Sequence, residues 1–208
     1  MLARLLLVRH GITEWNIVHR IQGHTDNDLN EKGTRQVERV GERLAGEKID
    51  AVFASDLKRT LSTAQAAVGS RNIEIRTSAD LREMNYGLAE GMTYGELKAA
   101  YPEIAASLFN FHTGIIFPEG ETFLGFVDRA ESFLKSLTGY PEDSTILVVT
   151  HGGVIKTMVC SLLRIGQVHW PKIRIDNASL TIVSTYGERV ILSLLNDTSH
   201  LGDLKEPY

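Results

Sequence analysis

Three short stretches carry side chains that chemistry rather than folding would select. Arg9-His10-Gly11 follows the apolar run Leu5-Leu6-Leu7-Val8, Ser55-Asp56-Leu57-Lys58-Arg59 follows a second such run, and His151-Gly152-Gly153 follows a third. A neutral imidazole can attack phosphorus and hold the phosphoryl group covalently, which splits one hard displacement into two easier ones. The guanidinium next to it can bind two phosphate oxygens in its planar fork. Gly11 is expected to let the backbone approach the anion closely. The chemistry this tripeptide suits is phosphoryl transfer.

Such groups act only if the fold gathers them. Apolar runs bounded by turn residues predict strands at about 4–8, 51–54, 74–76, 145–150, 180–184 and 190–196. Helical patterns lie between them. Asn30 is placed to cap a helix with Val37, Val40 and Leu44 inside, and Ser55 or Asp56 to cap one carrying Leu57, Leu61, Ala64 and Val68. Thr93 and Glu96 have the form of a capping box before a helix that Pro102 interrupts. Phe126, Ala130, Phe133, Leu134 and Leu137 recur at helical spacing, and Val154, Ile155, Met158, Val159 and Leu162 follow the fourth strand. Strands alternating with helices predict one α/β domain over 1–208, with a mostly parallel sheet covered on both faces. Ligands then sit beyond the carboxyl ends of the strands, where all three unusual stretches fall. Residues 101–121 read as the least regular part, with Phe109, Phe111, Ile115, Ile116 and Phe117 close together, and are expected to form a lid.

The run from Leu7 to Asn16 (LVRHGITEWN) followed by Gln22-Gly23 resembles the signature of the phosphoglycerate mutase-like histidine phosphatase superfamily. The resemblance continues through Leu29-Asn30-Glu31-Lys32-Gly33, Ser55-Asp56-Leu57-Lys58-Arg59-Thr60 and Leu81-Arg82-Glu83, and closes with Val149-Thr150-His151-Gly152-Gly153. It implies a three-layer α/β/α sandwich with a mixed, mostly parallel sheet, and a phosphohistidine intermediate formed without metal or other cofactor. It also implies His10 as nucleophile, Arg9 and Arg59 as phosphate-binding cations, His151 as the second histidine on the phosphoryl oxygens, and Glu83 as proton donor. Thr13, Asn16, Gln22 and Gly23 match the loop lining the phosphate pocket, and Gly152 beside His151 is grouped with them as substrate-binding. The charges suit the task. A phosphate monoester brings about two negative charges near neutral pH. Arg9 and Arg59 roughly balance them, and His151, if protonated, adds a third cation. An alkoxide is too basic to leave unassisted, so an acid is required.

Composition narrows the partners. The net charge of -4 and pI near 6.0 argue against a nucleic-acid surface or a polybasic membrane surface. The expected partner is a small phosphorylated metabolite, with a homodimer left open. No apolar stretch approaches the ~20 residues of a membrane span. The single Cys160 cannot form an internal disulfide and lies on an apolar helical pattern, so a cytoplasmic protein is expected. His19 and His24 lack a metal-ligand pattern.

Phosphatase and cofactor-dependent phosphoglycerate mutase are the competing readings, with a silent binding protein third. A mutase must hold a bisphosphorylated intermediate, which calls for extra cations. Between Met84 and Thr150 only Lys98, Arg129 and Lys135 are basic, without the longer insert and paired arginines of the mutases, which favours hydrolysis. Phosphoserine, α-ribazole phosphate and sugar phosphates stay open as substrates. Asp176-Asn177-Ala178-Ser179 and His200-Leu201-Gly202 resemble the tail of some metal-independent phosphoserine phosphatases.

Overall fold

The computed structural model describes residues 4–110, 114, 116–187 and 189–206. Its strands are β1 (Arg4–Arg9), β2 (Ala51–Ala54), β3 (Ile75–Thr77), β4 (Thr145–Thr150), β5 (Leu180–Tyr186) and β6 (Arg189–Asp197). The helices are α1 (Glu14–Ile17), α2 (Glu31–Leu44), α3 (Lys58–Val68), α4 (Tyr94–Ala100), α5 (Pro102–Asn110), α6 (Phe123–Ser136) and α7 (Gly152–Leu163). Each expected strand is present, displaced by no more than two residues at any end.

One six-stranded sheet runs in the order β3-β2-β4-β1-β5-β6. Only β5 opposes the rest, so the sheet is mixed and mostly parallel. Alternation along β1 and β4 divides the core. Leu5, Leu7, Ile146 and Val148 pack with Phe126, Ala130 and Phe133 of α6 and Val154, Ile155 and Met158 of α7. Leu6, Val8, Leu147 and Val149 pack with Val40 and Leu44 of α2 and Ala64, Ala67 and Val68 of α3. The architecture is therefore the α/β/α sandwich. Every residue of β4 is buried, as expected of a central strand covered on both faces.

The site follows from this topology. β1 and β4 are neighbours with Arg9 paired to Thr150, so His10 and His151 emerge side by side at the carboxyl end. The chain leaving β1 leads to α2 on one face, while that leaving β4 enters α7 on the other. Diverging connections open a crevice between adjacent strand ends.

Two local expectations change. Neither Ser55 nor Asp56 caps α3: the N-cap residue is Leu57, with no side-chain cap bond. Asp26, far away in sequence, accepts from the Lys58 N–H at 2.8 Å instead. Ser55 and Asp56 are committed elsewhere, to His151 and Arg82. The 101–121 stretch is more regular than expected, because Pro102 opens α5, in keeping with proline at a first helical position. Phe117 is 1% exposed and belongs to the core, while Ile116 is exposed. Phe111, His112, Ile115 and the side chain of Phe109 lie outside the described residues. Cys160 is buried on α7, and among the described residues no helix is long and apolar enough to cross a membrane.

Candidate active site

A cavity of about 200 Å³ opens at the carboxyl ends of β1 and β4. It is lined by Arg9, His10, Asn16, Arg20, Ile21, Gln22, Gly23, Arg59, Glu83, Tyr86, Leu108 and His151. Of the catalytic and substrate-binding residues expected from sequence, Thr13 and Gly152 are outside that wall, as is Gly11.

His10 is 3% exposed, and its Nδ1 lies 2.7 Å from the Gly11 carbonyl oxygen. A carbonyl can only accept, so Nδ1 carries the proton and Nε2 keeps the lone pair. The His10 carbonyl is itself held by the Ala178 N–H at 3.1 Å and by the Asn177 amide at 3.2 Å. The same Asn177 amide donates to Asn16 Oδ1 at 3.2 Å. Gly11 serves a different purpose from the one its sequence suggests. Its N–H donates to Thr63 Oγ1, and a Cβ there would lie 2.8 Å from both the Gly33 carbonyl and a Val37 methyl. It lets α2 pack against the strand end.

Arg59 is fully buried. Its Nη1 and Nη2 donate to the Thr25 and Gly23 carbonyls at 2.7 and 2.8 Å, and its Nε has no partner. Burial pulls its pKa down to about 10, partly offset by the fields of Glu83 and Asp26, yet the group stays cationic near neutrality. Arg9 donates to the Ile175 carbonyl at 2.7 Å, and its Nε is likewise buried without a partner. Burial lowers its pKa too, against the opposing pull of Glu83 and Asp176. Both guanidiniums line one cavity, and each keeps a buried Nε–H without a partner, a concentration of positive charge that suits an anion.

His151 is fully buried, 5.1 Å from His10 between ring centroids, and its Nε2 lies 3.1 Å from Ser55 Oγ. Burial, then Arg59, holds its pKa well below the ordinary imidazole value, and the same two causes act on His10. The third cation anticipated at His151 is therefore neutral in the unliganded site. The consequence for folding has a definite sign. Below about pH 6.5 the unfolded chain takes up protons that the buried native imidazoles refuse, so stability present above that pH is lost as pH falls. Each of the two is expected to contribute a slope of up to about 1.4 kcal/mol per pH unit. Denaturant titrations between pH 7.5 and 5.5 check this; a flat profile would contradict the neutral pair.

Glu83 receives the Gly153 N–H on Oε2 at 3.0 Å and the Met84 N–H on Oε1 at 3.1 Å. A Cβ on Gly153 would sit 2.2 Å from Oε1, so only glycine lets α7 approach the carboxylate this closely. The main chain at Glu83 is pinned by Arg129, whose Nη2 donates to its carbonyl at 2.8 Å. Thr13 is spent in the capping box of α1 with Asn16, and its hydroxyl also reaches Gln22 at 3.0 Å. Gly152 packs along the Arg9 side chain, the nearest atom 3.4 Å from where a Cβ would be.

The sequence reading missed several participants. Arg20 and Ile21 line the wall between Asn16 and Gln22, and their place inside the same loop was the available signal. Tyr86 and Leu108 complete it. Glu90 accepts from the backbone N–H groups of His24, Thr25 and Tyr86 and from the Thr25 hydroxyl, fixing the loop whose carbonyls grip Arg59. Gly23, at φ +53°, makes room for it, because a Cβ there would fall 2.0 Å from Glu90 Oε1.

Residues 5–198 match the histidine phosphatase superfamily (branch 1). Phosphoserine phosphatase 1 of Hydrogenobacter thermophilus is 31% identical over 97% of this chain and 96% of its own. Phosphoglycerate mutase-like protein 4 of Arabidopsis thaliana is 36% identical over 96% of this chain and 87% of its own. Among solved structures, the α-ribazole phosphatase from Shigella flexneri superposes with a TM-score of 0.88 at 27% identity, covering 93% of this chain and 96% of that one.

Proposed function

Because the chain belongs to the histidine phosphatase superfamily (branch 1), we propose that it is a metal-independent phosphatase hydrolysing small phosphomonoesters through a phosphohistidine on His10. The observation that carries this reading is the Nδ1–H bond to the Gly11 carbonyl, which leaves Nε2 as a lone pair in a cavity with two buried guanidiniums. In the first half-reaction Nε2 attacks phosphorus, the ester P–O bond breaks, and Glu83 donates its proton to the departing oxygen. In the second, Glu83 takes a proton from water as that water attacks phosphorus and the N–P bond breaks. Arg9, Arg59 and His151 hold the phosphoryl oxygens in both, with Asn16, Gln22 and Gly23 around them. A bound dianion offsets the lesser, cationic part of the depression at His151, that due to Arg59 and Arg9, and so raises its pKa as the substrate binds, while burial acts against it. Leu108, near the end of α5, lies against the leaving group.

Hydrolysis is favoured over mutase chemistry by the cavity's cations. Lys98 and Lys135 do not line it, and Arg129 is engaged with Glu121 and the 80–83 main chain. Inorganic phosphate released from p-nitrophenyl phosphate in EDTA is the expected result; interconversion of phosphoglycerates without net phosphate loss would support the mutase instead. The donor has its own signature. Glu83→Gln is expected to slow release from alkyl phosphates by roughly 10²–10⁴ and from p-nitrophenyl phosphate far less, since a nitrophenolate leaves without a proton. Equal losses on both ester types would remove Glu83 from that role.

A further inference from the structure

We propose that the substrate is the phosphomonoester of an uncharged, largely apolar alcohol, and that the Arg20–Glu96 ion pair turns the cavity against carboxylate-bearing leaving groups; this rests on the phosphatase reading above. The cavity has two unlike ends. Arg9, His10, Arg59 and His151 form the deeply buried end, which the phosphoryl group fills. The leaving group meets what remains, chiefly Ile21, Tyr86, Leu108 and Arg20.

Three of those four offer apolar surface. Tyr86 is set edge-on against Phe117, ring centroids 5.0 Å apart, and burial raises its pKa so that the phenol stays neutral. Arg20 is the one Lys or Arg at this end, and its charge is partly offset by an exposed ion pair with Glu96. Its Nη1 lies 2.7 Å from Glu96 Oε2 and also donates to the Gly91 carbonyl. Backbone geometry holds the pair together: Arg20 forms a bridge with Thr93, and Glu96 is fixed as the third residue of α4 by the capping box on Thr93. Apart from Arg9 and Arg59 at the other end, no further Lys or Arg among the described residues lines the cavity, and residues 109–115 hold His112 but no Lys or Arg. A carboxylate on the leaving group would thus shed its hydration to meet Glu83 and a guanidinium that Glu96 occupies. An apolar group sheds water at a gain.

The test compares kcat/KM for phosphate release in EDTA from benzyl phosphate, glycerol 3-phosphate, 3-phosphoglycerate and phosphoserine. The middle pair differs only by a hydroxymethyl against a carboxylate. Benzyl phosphate is expected to be best, with glycerol 3-phosphate ahead of 3-phosphoglycerate by about tenfold or more. Glu96→Gln keeps an acceptor for the Thr93 N–H but removes the charge facing Arg20. It is expected to shift the 3-phosphoglycerate to glycerol 3-phosphate ratio upward by about tenfold. A wild-type preference for either carboxylate ester, or a ratio unmoved by Glu96→Gln, overturns the proposal. Failure of the wild type on all of these esters overturns the phosphatase reading itself, and this proposal with it.

Discussion

His10→Ala is expected to cut phosphate release by on the order of 10⁴–10⁶, the scale of losing a covalent nucleophile, and to abolish phosphoryl label on the protein. The magnitude follows from how little else in the cavity can attack. His151, the nearest alternative, has its Nε2 committed to Ser55 and its Nδ1 buried. The two guanidiniums cannot act as nucleophiles near neutral pH. What survives is binding and charge stabilisation of direct attack by water. The fold is expected to persist, because the strand end is held by backbone bonds: the His10 N–H donates to the Thr150 carbonyl, and the His10 carbonyl accepts from Ala178. Rapid quench with a labelled ester should trap acid-labile, base-stable label on the wild type and none on the variant. Turnover within about tenfold of wild type, too small a loss for a covalent nucleophile, would end the phosphohistidine mechanism.

How much of this was legible in the sequence depends on whether a feature is local. The runs of β1, β2 and β4 were legible because a buried parallel strand must be apolar on both faces, a property each carries alone, whereas β6 at the sheet edge alternates covered and exposed residues. Asn30 and the Thr93–Glu96 box capped α2 and α4 as read, since the cap and its target N–H lie three residues apart. The gathering of Arg9, His10, Arg59 and His151 into one cavity was legible from strand ends alone, by the rule that ligands bind there, whereas Glu83, six residues past the end of β3, was reached only through the resemblance. What escaped depends on pairs distant in the chain. Asp26 displaced Ser55 and Asp56 as the cap of α3 across thirty-two positions. The small size of Gly11 answers to α2, and no local pattern says so. The neutrality of His151 comes from burial beside Arg59, which motif spacing does not encode. Glu90, which no motif spacing singles out, organises residues 23–25 from more than sixty positions away.

That last contact defines a second large effect. Arg59→Met is expected to lower kcat/KM by about 10²–10³ or more, the usual loss for one preorganised donor, while costing the fold no more than about 1 kcal/mol. Two opposing costs set the stability. The buried guanidinium gives up hydration without a carboxylate partner, and a pKa brought down from 12.5 to about 10 corresponds to a penalty on the order of 3 kcal/mol. Methionine removes that penalty but leaves the Gly23 carbonyl without its donor and the Thr25 carbonyl with the Asn27 N–H alone, a loss of about 1–3 kcal/mol. The terms nearly cancel, so the arginine is retained for the anion and not for the fold. Orthophosphate separates the two roles. It should raise the wild-type melting temperature by mass action and leave that of Arg59→Met almost unmoved. Arg59→Lys keeps the charge but cannot hold both carbonyls and still present an idle N–H, so it is expected to recover only a small part of the activity. Full recovery with lysine would mean that charge alone suffices and that the loop fixed by Glu90 has no part in aiming it.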